Sequence, residues 1–168
     1  MIVVSDTTPI IALMKAGHLE WLEQLYHEIS IPEAVFYELT TNDMFQDEAE
    51  QIKRCDFIKI LNVKNSEAVN ILRSATGLDA GESEAIVLYS ESKADLLLLD
   101  EHKARGIAKQ MEIEFVGTLG VMMLAYDNKI ASAKEIEESI DCMLSSGIRY
   151  NARLCNKVLA YVGLKQKY

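Results

Sequence analysis

The sequence predicts an α/β fold: a three-layer α/β/α sandwich built around a short, mainly parallel central sheet. Short runs rich in Ile, Val and Leu alternate with helical patterns along the chain, the arrangement of parallel strands joined by crossover helices. Most of these runs are apolar at successive positions rather than at every second one, as expected for strands covered on both faces. Nearly half of the 168 residues are apolar (49 %), enough for a substantial core and too many for a disordered chain.

Strands are predicted at Met1–Ser5, Glu28–Ile31, Phe57–Val63, Asp95–Leu99 and Glu114–Val116. The first helix, Pro9–Lys15, carries proline in its opening turn, where the missing N–H costs nothing. Gly17 separates it from Leu19–Tyr26, and Pro32–Leu39 again starts on a proline. Ser66–Ser74, Gly81–Lys93, Lys103–Met111 and Thr118–Asp127 follow as helices, and Lys134–Leu144 and Ala152–Val162 close the chain with no further strand. No repeat, low-complexity tract or Pro/Gly-rich linker marks a boundary. Residues 1–168 are therefore expected to form a single domain, with a helical, basic C-terminal segment from about residue 132.

No apolar run approaches the ~20 residues needed to span a bilayer, so no membrane association is expected. The N-terminus has no basic segment ahead of a short apolar stretch, so it does not read as a signal peptide, and a cytoplasmic location is expected. Cys55, Cys142 and Cys155 are odd in number and lack C-x-x-C spacing, which fits reduced core residues. His18, His27 and His102 are too scattered for a zinc site. The formal net charge of −9 is unevenly spread. After Asp141 there is no acid, whereas Arg149, Arg153, Lys157, Lys165 and Lys167 all follow, leaving 12 bases against 26 acids upstream. An acidic body with a basic tail is a weak electrostatic signal for an anionic partner.

In a parallel sheet with helices on both faces, ligands sit beyond the carboxyl ends of the strands. Asp6, in "VVSDTTPIIAL", and Asp100, in "DLLLLDEHKAR", each end a strand and so fall at one rim. Glu38, in "IPEAVFYELTT", borders the apolar stripe of its helix. Glu82, in "GLDAGESEAIVLY", opens a helix whose Ala85, Ile86 and Tyr89 form its core-facing side. Singly, each acid has an ordinary reading. Asp6 suits a helix cap, Glu38 a solvated surface, Glu82 and Glu84 compensation of a helix dipole, and Asp79 a cap. Four carboxylates at one rim would instead repel strongly unless a cation sat among them, and an all-oxygen set suits Mg²⁺ or Mn²⁺. Such ions activate water toward a phosphodiester without a nucleophilic side chain, and no Ser–His–Asp or Cys–His set is evident. A Walker A loop and G-x-G-x-x-G are also absent. A haloacid-dehalogenase-type phosphatase would need a second acid two residues after the first, where Thr8 stands.

These segments, with "GTLGVMMLAY" and the closing "SSGIRYNARLCNKVLAYVG", resemble a PIN-domain protein of the branch related to VapC-type toxin ribonucleases, over most of the chain. The resemblance implies a PIN-like form of the sandwich and a metal-dependent endoribonuclease acting on RNA. It also implies a homodimer restrained by a small antitoxin protein whose segment lies over the acidic groove. Asp6, Glu38, Glu82 and Asp100 match the family's acidic quartet, with Asp6, Glu82 and Asp100 as ligands of Mg²⁺ or Mn²⁺. Thr7 matches the small hydroxyl residue beside the first aspartate, and would orient that aspartate or a bound water. Glu101 stands where the branch often has a second aspartate, and Thr118 would contact the site or cap a helix. The alternative is a catalytically inactive PIN-like scaffold that binds RNA or protein.

Lys103 and Arg105 follow Asp100 and would approach a phosphate or face solvent. Arg149, Arg153 and Lys157 recur at four-residue steps and share a face where that segment is helical. Trp21 and Tyr26 would stack on bases or pack in the core. Leu19, Trp21, Leu22 and Leu25 would form a dimer surface or be buried.

Overall fold

The computed structural model describes residues 1–41 and 46–168. Strands β1 (Val3–Ser5), β2 (Ile29–Pro32), β3 (Ile58–Leu61), β4 (Leu96–Leu98) and β5 (Phe115–Val116) form one sheet in the order β3-β2-β1-β4-β5. All four strand pairings are parallel. The chain steps outward from β1 to β2 and β3, then crosses back to lay β4 and β5 on the other side. The reversal falls between β1 and β4, the point where open α/β sheets offer a crevice. Ser5 pairs with Leu98, and the Asp6 N–H donates to the Leu98 carbonyl at 3.0 Å. Asp6 and Asp100 thus leave adjacent strands at the same edge.

Ten helices flank the sheet among the described residues: α1 (Thr7–Lys15), α2 (Glu20–Tyr26), α3 (Glu33–Thr40), α4 (Gln46–Lys53), α5 (Ser66–Thr76), α6 (Ala80–Ser92), α7 (His102–Gln110), α8 (Thr118–Asp127), α9 (Ala133–Ser145) and α10 (Ala152–Tyr161). Successive strand side chains point to opposite faces, and this alternation divides the core in two. Val3 and Leu98 pack with Ile10 and Leu13 of α1, Met122 of α8, Ile136 and Ile140 of α9 and Leu159 of α10. Val4, Leu97 and Leu99 pack on the other face with Ala85 and Ile86 of α6 and Ala104 and Ala108 of α7. Burial of each large aliphatic side chain is worth about 1.5–3 kcal/mol, so the strand ends that carry the acids are anchored from both sides.

All five predicted strands are present, four of them trimmed, while β2 is shifted by one residue to end on Pro32, the residue expected to open the next helix. Helix α4 was not anticipated, because its Ala49 and Ile52 give little periodicity in an otherwise polar stretch. Of the two readings of the early helices, burial holds and the dimer surface does not: Leu19, Trp21 and Leu22 are buried in the core, Leu25 is half-buried against it, and Trp21 stacks on His18 with ring centroids 4.2 Å apart. Tyr26 is buried as well, so neither aromatic of α2 can stack on a base. Of the cysteines, Cys155 is in the core but Cys142 is exposed. The basic tail is partly neutralised from within, since Lys167 pairs with Asp141 and with Glu137 of α9. Arg149 lies ahead of α10, whereas Arg153 and Lys157 are on it and exposed, so the expected three-residue face reduces to two. Among the described residues no helix is long and apolar enough to cross a membrane.

Candidate active site

Asp6 is the N-terminal flanking residue of α1, yet its side chain makes no capping hydrogen bond. Only 3 % of it is exposed. Burial pushes its carboxyl up from 3.8 to about 7, with the charges of Asp79, Glu82 and Glu38 adding to the rise and the Thr7 backbone N–H opposing it. The simple capping role is thereby excluded, and a buried carboxylate remains with three acids from other elements around it.

Those acids reach it through one helix start and one helix end. Glu38 sits near the end of α3, where the Thr7 hydroxyl donates to its Oε2 at 2.6 Å. The Thr7 side chain therefore orients Glu38 rather than Asp6. Asp79 and Glu82 close a reciprocal capping box at the start of α6. The Glu82 N–H donates to Asp79 Oδ1 at 2.8 Å, and the Asp79 N–H donates to Glu82 Oε2 at 2.9 Å. Glu82 is buried, and its carboxyl is raised by that burial, then by the charges of Asp79 and Glu101. The Asp79 backbone and Lys103 pull it down. Gly81 makes the convergence of Asp6 with Glu38 possible: a Cβ there would lie 3.2 Å from Glu38 Oε2, 3.3 Å from Val35 Cγ2 and 3.5 Å from Asp6 Oδ1. Glu84 faces elsewhere and accepts the Ala34 N–H at the start of α3.

Asp100 lies in a different environment. Its Oδ1 accepts the Thr118 N–H at 2.9 Å, and its Oδ2 accepts both the Thr118 hydroxyl and the Tyr150 hydroxyl, the latter at 2.8 Å. Thr118 is fully buried at the start of α8. Burial and the charge of Asp100 push the Tyr150 phenol well above its ordinary range, so it stays a donor. Glu101 caps α7, accepting the Ala104 N–H at 2.7 Å, and acts on Glu82 through its charge. Lys103 donates to the Gly77 carbonyl at 3.1 Å and approaches Glu82 closely enough to favour its ionised form. Arg105 is half-buried, with its guanidinium 5.2 Å from the centre of the Phe115 ring.

The rim opens into a cleft of about 550 Å³ lined by Glu33, Tyr37, Glu38, Thr41, Asp79 and Gly81, among others. Tyr37 is 69 % exposed beside Glu38. Sequence reasoning missed Tyr37 and Tyr150. Tyr37 was signalled by its place next to Glu38, whereas nothing local marks Tyr150.

The donor chemistry around Asp6 fits a hard divalent cation: it is all oxygen, and it includes carboxylates whose raised pKa a cation would relieve. As the side chains stand, no three His, Cys, Asp or Glu among the described residues form a ready chelating group. Asp6, Glu38, Glu82 and Asp79 are drawn together, while Asp100 is held by Thr118 and Tyr150.

An all-parallel α/β sheet with carboxylates at the carboxyl ends of its central strands defines the class of protein. The family model DUF3368, a PIN domain, matches residues 2–164, and the chain belongs to the PIN-domain family. PIN domains are generally nucleases and typically use divalent metals. No curated protein matches the chain.

Proposed function

We propose that this protein is a metal-dependent endoribonuclease that hydrolyses RNA phosphodiester bonds, acting as one domain over residues 1–168. In this reading it is the toxin of a toxin–antitoxin pair and works as a homodimer in the cytoplasm. The observation that carries the reading is Asp6: a buried carboxyl at a strand end, pushed up to about 7 and surrounded by the carboxylates of Asp79, Glu82 and Glu38. Such an arrangement is unfavourable in the empty protein and becomes favourable with a cation.

Asp6, Glu82 and Asp100 would hold Mg²⁺ or Mn²⁺. Bound there, the ion would neutralise the acids, polarise water and stabilise charge on the phosphate. Glu38, its Oε2 held by Thr7, would add its charge to the Asp6 side of the site. Lys103 and Arg105 supply positive charge to the RNA backbone from α7. The cleft beside Glu38 is acidic and repels phosphate, so the exposed Tyr37 ring faces the uncharged part of a nucleotide, its base. A basic side chain of an antitoxin placed over the same acids would take the cation's part and silence the site.

The test uses purified protein, a single-stranded RNA and Mg²⁺ or Mn²⁺. Cleavage should stop with EDTA and fall at least ~100-fold in Asp6→Asn, beyond the usual loss from groups that only support a ligand. Equal cleavage by wild type and Asp6→Asn would refute the enzyme reading. The second reading, an inactive RNA- or protein-binding scaffold, draws on the engagement of Asp100 by three donors. It requires RNA binding that is indifferent to EDTA, with no cleavage under any metal.

A further inference from the structure

Each carboxylate oxygen has two lone pairs to offer. Around Asp100 the donors are unequally divided. Both lone pairs of Oδ2 are engaged, one by the Thr118 hydroxyl and one by the Tyr150 hydroxyl, whereas among the described residues Oδ1 accepts only the Thr118 N–H. Gly117 passes close to that second oxygen: a Cβ at this position would lie 2.5 Å from Asp100 Oδ1. A side chain there would collide with the carboxylate, and glycine keeps the space beside Oδ1 free of a Cβ, with Arg105 Nη1 3.5 Å from the same point.

Tyr150 arrives from far along the chain, 50 residues after Asp100. It sits in the turn between α9 and α10, and both flanks of that turn are fixed. Gly147 takes φ +87° after α9, and the Ile148 N–H returns to the Met143 carbonyl at 3.1 Å. Asn151 begins α10, with its side chain accepting the Arg153 N–H at 2.8 Å. Met143 on one side and Cys155 on the other are fully buried, and the Tyr150 ring packs against the same core. The hydroxyl is therefore delivered to Asp100 by two anchored helices rather than by a loose end. It is also a neutral donor, which can fix the orientation of a carboxylate without cancelling its charge.

We infer that Tyr150 is a positioning residue of the acidic site: with Thr118 it locks Asp100 so that the carboxylate offers a divalent cation a single oxygen, Oδ1. The inference rests on the reading of Asp100 as a cation ligand. The α9–α10 turn then controls how tightly the cation is held, although it contributes no ligand itself. Support of this kind typically governs metal affinity by 10–100-fold.

Tyr150→Phe removes the hydroxyl and keeps the ring. Tyr161→Phe is the control, because Tyr161 donates to Asp127 at 2.7 Å in a comparable tyrosine–aspartate pair on the surface. Binding of Mn²⁺ alone to the full chain, without RNA, is measured from the electron paramagnetic resonance signal of the free ion. Tyr150→Phe should bind Mn²⁺ about tenfold more weakly than wild type, and Tyr161→Phe should match wild type. Cleavage by Tyr150→Phe should need correspondingly more Mn²⁺ and approach the wild-type rate at saturation, an effect that loss of packing would not produce. Wild-type Mn²⁺ affinity in a folded Tyr150→Phe would overturn this inference alone, leaving the hydroxyl a structural tie. Absence of Mn²⁺ binding by wild type would overturn the nuclease reading and this inference with it.

Discussion

The two sides of the sheet's central crevice handle a carboxylate in opposite ways. On the β1 side, Asp6 is buried without a capping bond and crowded by Asp79, Glu82 and Glu38, and its ionisation is disfavoured. On the β4 side, Asp100 is half-buried and takes hydrogen bonds from three neutral donors on Thr118 and Tyr150. One side stores repulsion that a cation would release. The other is already arranged before any cation arrives. On the proposed reading, affinity and geometry fall to different carboxylates, and the difference can be tested by treating the two aspartates identically.

The largest effect is expected from Asp→Asn at each position in EDTA-treated protein, followed by urea unfolding. Asp6 titrates near 7 in the folded protein and near 3.8 in the unfolded chain. The folded state therefore binds the extra proton between those values, and stability falls as pH rises through that window. Asp6→Asn should abolish this loss and stabilise the empty protein at pH 8 by up to about 4 kcal/mol, at roughly 1.4 kcal/mol per pKa unit. Asp100→Asn should do the reverse. An amide offers one oxygen to three donors and turns its own NH₂ toward at least one of them, costing about 1–3 kcal/mol. Stabilisation by both substitutions would erase the contrast between the two sides.

The glycines sharpen the same contrast at smaller scale. Gly117→Ala would drive a methyl to 2.5 Å from Asp100 Oδ1, so it should destabilise by about 1–3 kcal/mol and weaken Mn²⁺ binding. Gly81→Ala places a Cβ 3.2 Å from Glu38 Oε2 and 3.3 Å from Val35 Cγ2, a tight but smaller conflict partly offset by helix propensity, so it should cost less than Gly117→Ala. Equal losses would mean that the two sides are equally tight. The smallest effect belongs to α10. Reversing Arg153 and Lys157 to Glu should weaken RNA binding at low salt and flatten its salt dependence, with little change in cleavage at saturating RNA. An unchanged salt slope would remove this face from the RNA path.

Much of the layout was legible because it is written locally. Apolar runs bounded by acids revealed all five strands and the positions of Asp6 and Asp100, and the spacing of Asp79 to Glu82 already fitted a helix start. Legibility stopped where the answer depended on which element packs against which. An amphipathic pattern over Leu19–Leu25 cannot say whether its apolar face meets the core or a partner, and the structure turns Trp21 inward. The hydroxyl of Thr7 has Asp6 beside it in sequence, yet it donates to Glu38 across 31 residues. Tyr150 is the extreme case, since its partner is defined only after α9 and α10 have docked. Helix α4 was missed for a simpler reason, because two buried positions do not make a period.

The capping box at α6 has a kinetic consequence. Glu82 uses one oxygen to hold the Asp79 N–H, so the carboxylate beside Asp6 is also part of the first turn of a helix. Helix ends open and close far more often than whole domains unfold. Fraying of this turn would carry Glu82 away from Asp6, and its re-forming would bring the acid back with the backbone. On the proposed reading, release of a cation from between these acids would therefore be coupled to the opening of a single helical turn.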